Sequence, residues 1–152
     1  MDIRNNTLLM LERRGYNTTI VENNDNYFRT IDTLVVFVSD AKVSIGHTKN
    51  ILGLRIDNEK IIVVHSKPIT PDAKNLMISS KNIELFTYDE LGFDILEVIP
   101  IHSKVEGPKH KDWKFFPVLL STDMASRYFD FKKGDIVRVL EDDDTIIYRK
   151  VI

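Results

Sequence analysis

Three residues in the first third of the chain have the order of a metal-dependent nuclease site. Asp32 precedes an apolar run, and Asp40 and Lys42 follow it as an Asp-x-Lys pair. Carboxylates on neighbouring strands can hold Mg²⁺, which activates water for phosphodiester cleavage. Short Asp-x-Lys matches are common, and residues 40–42 fall where a turn is expected. We therefore predict a turn here, with a stand-alone Mg²⁺-dependent, nuclease-like protein as the alternative.

The other residues that can bind metals do not form a recognisable site. The chain has no cysteine, and its histidines lack a close His-x-x-x-His spacing, whereas a zinc site needs three or four well-placed donors. The acidic run at 141–144 lacks the ligand spacing and the central glycine of a calcium loop, so it is interpreted as a solvated hairpin turn. We expect no metal and no cofactor. The histidines are His47, His65, His102 and His110.

The most basic window of the chain stands beside three aromatic residues. Lysines are frequent between residues 104 and 114, and Trp113, Phe115 and Phe116 end this stretch. Lysines beside aromatic rings can bind single-stranded nucleic acid. The interpretation we favour is that Phe115 and Phe116 are core residues beside a solvated lysine loop.

The segment from residue 122 to residue 140 has residues with linked roles. Thr122 or Asp123 can cap a short helix, whose first amides otherwise lack partners. Arg127 and Tyr128 then lie on that helix, and both residue types are frequent at interface hot spots. A Lys-Gly-Asp turn follows and leads into an apolar strand. The alternative is that Asp123 and Arg127 pair only for internal stability.

Apolar periodicity indicates the elements that position these residues. Strands that alternate with helices predict a small α/β domain with a sheet covered on both faces. Thr70 and Pro71 have the types preferred at the N-cap and first position of a helix. The predicted helices are 3–14, 47–56 and one beginning at 71; the predicted strands are 18–21, 31–38, 61–64 and 83–88, with a turn at 22–26 and a loop at 102–114.

Length and composition limit the classes of function. A chain of 152 residues, 43% hydrophobic and 29% charged, suits one domain or two small ones. Its apolar runs are too short to span a bilayer, and its polar start lacks the apolar segment of a signal peptide, so we expect an intracellular protein without a membrane. The net charge of −2 argues against strong autonomous nucleic-acid binding.

The last third of the chain resembles one protein family. Its caps, turns and strand residues are similar to the assembly domain of the fifth subunit shared by the eukaryotic nuclear RNA polymerases, which has a counterpart in the archaeal enzyme. The preceding part is similar to the jaw domain of the same eukaryotic subunit. The residues that carry the resemblance are Pro117, Asp123, 125–128, 133–137, Tyr148 and Arg149, and, in the first part, 14–16, 42–49, 69–74 and 99–102.

The resemblance implies an architecture and a function. Residues 1–96 would form a small α/β jaw domain, and residues 97–152 a mixed α/β assembly domain that ends in a β-hairpin. The protein would be a non-catalytic subunit of a DNA-directed RNA polymerase, present in one copy. It would anchor on the largest subunit, contact neighbouring subunits, and form part of the lower jaw. It would meet downstream duplex DNA only within that complex.

The resemblance also implies roles for individual residues. The face that would contact the largest subunit includes a helix cap, a turn glycine and two residues of the last strand. The residues that would face DNA lie in the segment similar to a Thr-Pro-Ser-Ala-Lys motif. The partner-binding residues would be Asp123, Arg127, Tyr128, Gly134, Tyr148 and Arg149, and the DNA-facing residues Lys67, Thr70 and Lys74.

Some features differ from the family pattern. The loop at 103–115 is too short for the helix that the family has there, an acidic turn at 141–144 replaces a basic loop, and Asp72 replaces the serine of the Thr-Pro-Ser-Ala-Lys motif. Isoleucine, asparagine and lysine are enriched, which suits the AT-rich genome of a large DNA virus. Such a protein would act in a cytoplasmic viral factory or virion, and a cellular one in the nucleus. A further alternative is a viral mimic of the host subunit.

Overall fold

The computed structural model describes residues 2–152, which divide into two compact units. The first unit ends at Phe93, and the second extends from Asp94 to Ile152. Each unit contains its own β-sheet and its own helices. The chain therefore has the mixed α/β class predicted from the sequence. Within residues 2–152 no helix has both the length and the apolar character needed to cross a membrane.

The first unit is built on a five-stranded sheet of order β1-β2-β3-β4-β5. Strands β3, β4 and β5 are parallel to one another, and β1 and β2 continue the sheet in antiparallel pairing. Its elements are α1 (Ile3–Arg13), β1 (Glu22–Asn23), β2 (Tyr27–Arg29), β3 (Thr33–Val38), α2 (Ile45–Leu54), β4 (Lys60–His65), α3 (Pro71–Ser79), β5 (Ile83–Thr87) and α4 (Tyr88–Leu91).

Helices cover both faces of this sheet, as the uninterrupted apolar runs predicted. On one face Leu34 and Val63 pack in a cluster with Ile51 of α2 and Met77 of α3. The opposite face lies under α1, because Arg14 reaches Glu84 of β5 there. The alternation of side chains along a strand explains why both sets of apolar residues are buried.

The predicted start of α3 is confirmed. Thr70 is the N-cap, its hydroxyl accepts a hydrogen bond from the Ala73 amide at 3.3 Å, and Pro71 occupies the first turn. Proline suits this position because the first amides of a helix have no partner within the helix.

The second unit contains a four-stranded sheet of order β6-β8-β9-β7. Strands β8 and β9 form the predicted terminal hairpin, and β7 runs parallel to β9 at one edge. Its elements are a 3₁₀ turn (Ile95–Glu97), β6 (Ile101–Lys104), a second 3₁₀ turn (Trp113–Phe115), β7 (Val118–Leu119), α5 (Met124–Phe129), β8 (Ile136–Leu140) and β9 (Ile146–Val151). The core face carries Leu119, Val137, Val139 and Val151, and Phe131, which follows α5, packs against them.

Two local predictions are wrong. Residues 18–21 form no strand, and the short pairing strand β1 begins instead at Glu22, where a turn was expected. Residues 101–104 form the edge strand β6, although a loop was expected from residue 102. An edge strand pairs on one side only and tolerates polar residues such as Ser103 and Lys104, which is why its sequence looks like a loop.

Candidate functional site

The structure does not bring together the three residues of the nuclease pattern. Asp32 precedes β3 and Asp40 follows it, so a six-residue strand of about 17 Å separates them. The Asp32 carboxylate accepts a hydrogen bond from the Thr33 hydroxyl at 3.2 Å. Asp40 lies in the bend that was predicted, and Lys42 follows it in the same connection. Asp32 and Asp40 therefore do not share a metal site.

The four histidines serve local backbone contacts. The Nδ1 atoms of His47 and His110 accept from the amides of Ser44 and Asp112, at 3.2 and 3.1 Å. Those of His65 and His102 lie 2.8 Å from the carbonyl oxygens of Lys67 and Pro100. Across residues 2–152 there is no group of three or more acidic or histidine side chains that could hold a metal ion.

The three residues predicted to face DNA lie near the carboxyl end of β4 and the start of α3. Lys67 and Lys74 are exposed, and Thr70 is half-buried because its hydroxyl caps α3. Lys67 lines an open groove of about 280 Å³ together with Tyr88 and Asp89. The lysines are thus accessible, whereas Thr70 already has a structural role.

Helix α5 has the predicted cap. The Asp123 carboxylate accepts from the Ala125 amide at 2.9 Å and remains exposed. The helix ends at Asp130, which adopts a left-handed conformation (φ 57°). Arg127, on the last turn, is half-buried. The cap prediction for Asp123 is confirmed, and its partner-binding role stays a prediction.

Tyr128 lies inside the second unit and not on its surface. Its exposed fraction is 3%. Its ring meets Phe129 edge to face with centroids 5.0 Å apart, and Phe129 stacks on Phe131 at 5.4 Å. The expectation that Tyr128 offers its ring to a partner is therefore corrected. Tyr128 contributes to the packing that holds α5 on the sheet.

Gly134 shapes the turn into β8. Its φ of +93° is a conformation that residues with a side chain rarely adopt. Its amide donates to the Val151 carbonyl at 2.8 Å, and the Lys132 amide donates to the Asp135 carboxylate at 2.8 Å. Gly134 thus positions β8 beside the end of β9, which is a structural reason for this residue type.

Tyr148 and Arg149 are neighbours on β9 and point to opposite faces of the sheet. Tyr148 is 42% exposed, on the face away from the core. Arg149 is half-buried, pairs across the ladder with core residue Val137, and donates to the Val118 carbonyl at 3.2 Å. The six predicted partner-binding residues therefore do not form one continuous surface.

An exposed apolar face on the second sheet is the feature that the sequence interpretation missed. Ile101, Leu140 and Ile146 are direct neighbours across β6, β8 and β9. Ile101 is 56% exposed and Ile146 45% exposed. Val118 and Tyr148 share this face, because Val118 pairs with Lys150. We call these five residues the outer face. The available signal was that neighbouring residues, such as 136–137, 139–140 and 146–147, are both apolar, so a strand there places apolar side chains on both of its faces.

A loop covers the other end of this sheet and explains why Ile136 is buried there. Residues 105–110 and Phe116 enclose a groove of about 470 Å³ that reaches Ile136 and Tyr148. The ring of Phe116 stacks on His110 (6.0 Å) and lies 5.9 Å from Tyr148. Phe116 is half-buried, but Phe115 is 87% exposed. The prediction that Phe115 is a core residue is therefore wrong.

The acidic hairpin turn lies beside the exposed end of the outer face. Residues 142–145 are exposed, and the Thr145 amide donates to the Asp143 carboxylate at 3.0 Å. Hydrogen bonds from Thr145 lower the pKa of Asp143 below its ordinary value. This turn therefore places stable negative charge next to Ile146.

Comparison with known proteins gives a viral relative. The chain is similar to "Uncharacterized protein 028R" of Frog virus 3 (isolate Goorha), with 28% identity over 91 residues. The match covers 57% of this chain and 56% of the relative, so the chain spans about half the length of the curated relative it matches. No protein-family model matches the chain.

Proposed function

We propose that this protein is a non-catalytic subunit of a multisubunit DNA-directed RNA polymerase. The second unit would dock on the largest subunit, and the first unit would form part of the lower jaw beside downstream DNA. The observation that carries the proposal is the exposed apolar outer face, on the unit whose sequence resembles an assembly domain. A helix cap at Asp123 and a left-handed Gly134 at the matching positions support the same assignment.

The composition of the outer face suits permanent contact with a protein. Burial of an exposed isoleucine side chain contributes about 1.5–3 kcal/mol. Tyr148 adds a ring with a polar tip, a residue type enriched at interface hot spots. The acidic turn at one end of this face favours basic groups on the partner there. Arg138 and Lys150 pair with Tyr148 and Val118 on the same side of the sheet, and they favour acidic groups. These features favour docking on a protein surface.

The first unit would contribute positioning and not sequence recognition. Lys67 and Lys74 are accessible, and lysines in such positions contact backbone phosphates. The negative charge of Asp72, in the first turn of α3, lies between them in the chain and weakens this attraction. We infer that DNA contacts here require the rest of the polymerase to hold the duplex in place.

The biological setting that we propose is a virus-encoded transcription machinery. The matched relative is a viral protein, and the enrichment in isoleucine, asparagine and lysine fits the AT-rich genome of a large DNA virus. The protein would then act in a viral factory or be packaged in the virion. The nuclease alternative is disfavoured, because β3 separates Asp32 from Asp40 and Lys42.

Affinity purification tests the proposal. Tagged protein would be recovered from infected cells, and its partners quantified by mass spectrometry. We expect stoichiometric recovery of the two large polymerase subunits, and a loss of at least about tenfold for the double variant Ile101→Thr, Ile146→Thr. Threonine keeps the β-branched shape that suits a strand. Recovery without any polymerase subunit would reject the proposal, and recovery of host subunits alone would indicate a mimic.

A matched control separates docking from general loss of apolar surface. Ile31 and Ile78 are exposed to 64% and 73% and lie in the first unit. The double variant Ile31→Thr, Ile78→Thr makes the same chemical change at two positions outside the outer face. We expect it to retain the polymerase subunits. Equal losses with both double variants would contradict docking through the outer face.

A further inference from the structure

Phe115 is an aromatic side chain that the fold holds in solvent. It ends the 3₁₀ turn Trp113–Phe115, where its amide donates to the Asp112 carbonyl at 2.9 Å and the Phe116 amide donates to the Trp113 carbonyl at 3.2 Å. These bonds fix the backbone, and the ring is nevertheless 87% exposed. A single exposed ring is common on protein surfaces, so its surroundings decide what it means.

The surroundings of Phe115 are rich in lysines that have no acidic partner. Among residues 2–152, the lysines of this region that form an ion pair are Lys104, with Asp135, and Lys132, with Asp130. The Nζ atom of Lys109 lies 4.0 Å from the centre of the Trp113 ring, in a cation–π contact. We call the following residues the basic aromatic end: Lys109, Lys111, Trp113, Lys114 and Phe115.

Positive charge extends from this end to a neighbouring turn. A side chain at Gly134 would lie 3.7 Å from the Lys109 Nζ, so Lys109 reaches the turn that contains Lys133. The acidic residues 141–144 are at the opposite end of β8, a five-residue strand about 13 Å long. The net charge of −2 belongs to the whole chain, so it does not describe the local charge of the basic aromatic end.

A groove opens beside Lys109. Its volume is about 470 Å³, and Lys109, His110, Phe116 and Tyr148 are among the residues that line it. Cavities of this size hold small organic ligands, and a single nucleobase is smaller than most of them. The walls combine aromatic rings with one cation, which suits a flat heterocycle attached to a phosphate.

We propose that the basic aromatic end binds single-stranded nucleic acid. A base would stack on Phe115, Lys109, Lys111 and Lys114 would hold the backbone phosphates, and the groove would take a neighbouring base. Proteins that bind single strands without sequence preference combine a cationic surface with stacking rings in this way. A single strand matches both features, because its phosphates meet the lysines and its unpaired bases can stack on the exposed ring. The proposal does not rest on the polymerase assignment.

Fluorescence anisotropy of the isolated full-length chain tests this proposal. The probe is a fluorescein-labelled twelve-nucleotide oligo-dT at low salt, with Kd expected in the micromolar range. We expect Phe115→Ala to weaken binding at least about fivefold, because base stacking on a ring is lost. The double variant Lys111→Gln, Lys114→Gln should weaken binding and lower the salt slope by about 0.7 for each phosphate contact removed.

Matched control variants and a duplex probe test whether binding is specific to the basic aromatic end and to single strands. Phe93→Ala removes a ring that is 41% exposed in the first unit, and Lys49→Gln, Lys81→Gln removes two exposed lysines there. We expect these controls to bind like the wild type, and a duplex of the same length to bind more weakly than oligo-dT. Absence of saturable binding, equal loss with the control variants, or equal affinity for duplex would overturn the proposal. Polymerase is absent from the assay, so either proposal can fail alone.

Discussion

The first unit of this chain is distinguished by buried ion pairs, and the second by a group of adjacent apolar side chains on an exposed sheet face. The first unit buries charged residues in ion pairs: the side chain of Arg14 is 1% exposed and contacts Glu84 through two hydrogen bonds of 2.8 and 2.9 Å. The second unit leaves isoleucines on the outer face in solvent. A buried charge without a partner is costly, so buried charges are found in pairs such as this one. The first unit also exposes isoleucines, such as Ile31 and Ile78, but these lie on separate elements. The second unit therefore differs in offering a group of adjacent apolar residues to a partner.

A second buried ion pair supports this description of the first unit. Arg29 and Glu59 have side chains that are 9% and 6% exposed, with Nε 3.1 Å from a carboxylate oxygen. Burial acts to lower the pKa of Arg29, but hydrogen bonds and attraction from Glu59 and Glu22 more than offset it, so the pKa is raised. The arginine therefore stays charged within the sheet.

The largest predicted effect comes from breaking a buried pair in the first unit. Glu84→Ala leaves the buried Arg14 guanidinium with its two carboxylate hydrogen bonds missing, and it also removes the partner of Lys60 at 2.8 Å. We expect the free energy of unfolding to fall by about 3–5 kcal/mol. Denaturant unfolding followed by far-UV circular dichroism measures this change.

An exposed glutamate provides the control for Glu84. Glu12 lies on α1 in solvent, so Glu12→Ala should change stability by no more than about 0.5 kcal/mol. Similar small effects for both variants would mean that the Arg14 pair does not stabilise the first unit.

The next largest predicted effect is a difference in stability cost between substitutions on the two faces of the second sheet. Val137 is fully buried on the core face, so Val137→Ala should cost about 2 kcal/mol through lost burial and a residual cavity. Ile146→Thr on the outer face should change stability by less than about 0.5 kcal/mol. The single tryptophan of the chain, Trp113, lies in this unit, and its fluorescence during unfolding reports on it. A large cost for Ile146→Thr would show that the outer face is part of the fold's own core.

The first unit was the more predictable of the two, for a physical reason. Its strands are buried on both faces, so they appear in the sequence as uninterrupted apolar runs such as residues 34–38 and 61–64. The cap at Thr70 and Pro71 is a local signal and was also predicted correctly. These signals do not show which face of the sheet α1 covers. That depends on contacts between residues distant in sequence, such as Arg14 and Glu84.

The second unit was harder to predict, because one face of its sheet is exposed and the sequence does not show which side chains lie on that face. Tyr128 was expected on the surface and is buried, and Phe115 was expected in the core and is exposed. Both are aromatic residues near polar ones, and sequence alone does not distinguish the two sides of a short helix or turn. The outer face was missed because apolar residues such as Ile101 and Ile146 normally indicate burial.

Replacement of a glycine by alanine should lower the stability of the second unit at Gly134 and raise that of the first unit at Gly53. Gly134 has a φ of +93°, and a methyl group there makes ordinary contact at 3.7 Å with Lys109, so the cost of Gly134→Ala is backbone strain of about 1–2 kcal/mol. Gly53 lies in α2 with open space around it, so Gly53→Ala should stabilise the first unit by about 0.5–1 kcal/mol. Thermal unfolding of both variants measures the signs. Stabilisation by Gly134→Ala would contradict the turn conformation assigned to Gly134, and destabilisation by Gly53→Ala would contradict the open helical position assigned to Gly53.

The smallest effect concerns pH and the edge of the first unit. Glu22 accepts a hydrogen bond from the Tyr27 hydroxyl, which lowers the pKa of Glu22; burial opposes this, and Arg29 lowers the pKa further. Because the pKa of the folded state lies below the ordinary 4.5, the stabilisation is present above that pH and is lost as the pH falls through the folded-state value. The wild type should therefore exceed Glu22→Gln in stability at neutral pH by a small margin. That margin should narrow below pH 4.5, and a margin that widened in acid would show that Glu22 is not stabilised as a carboxylate.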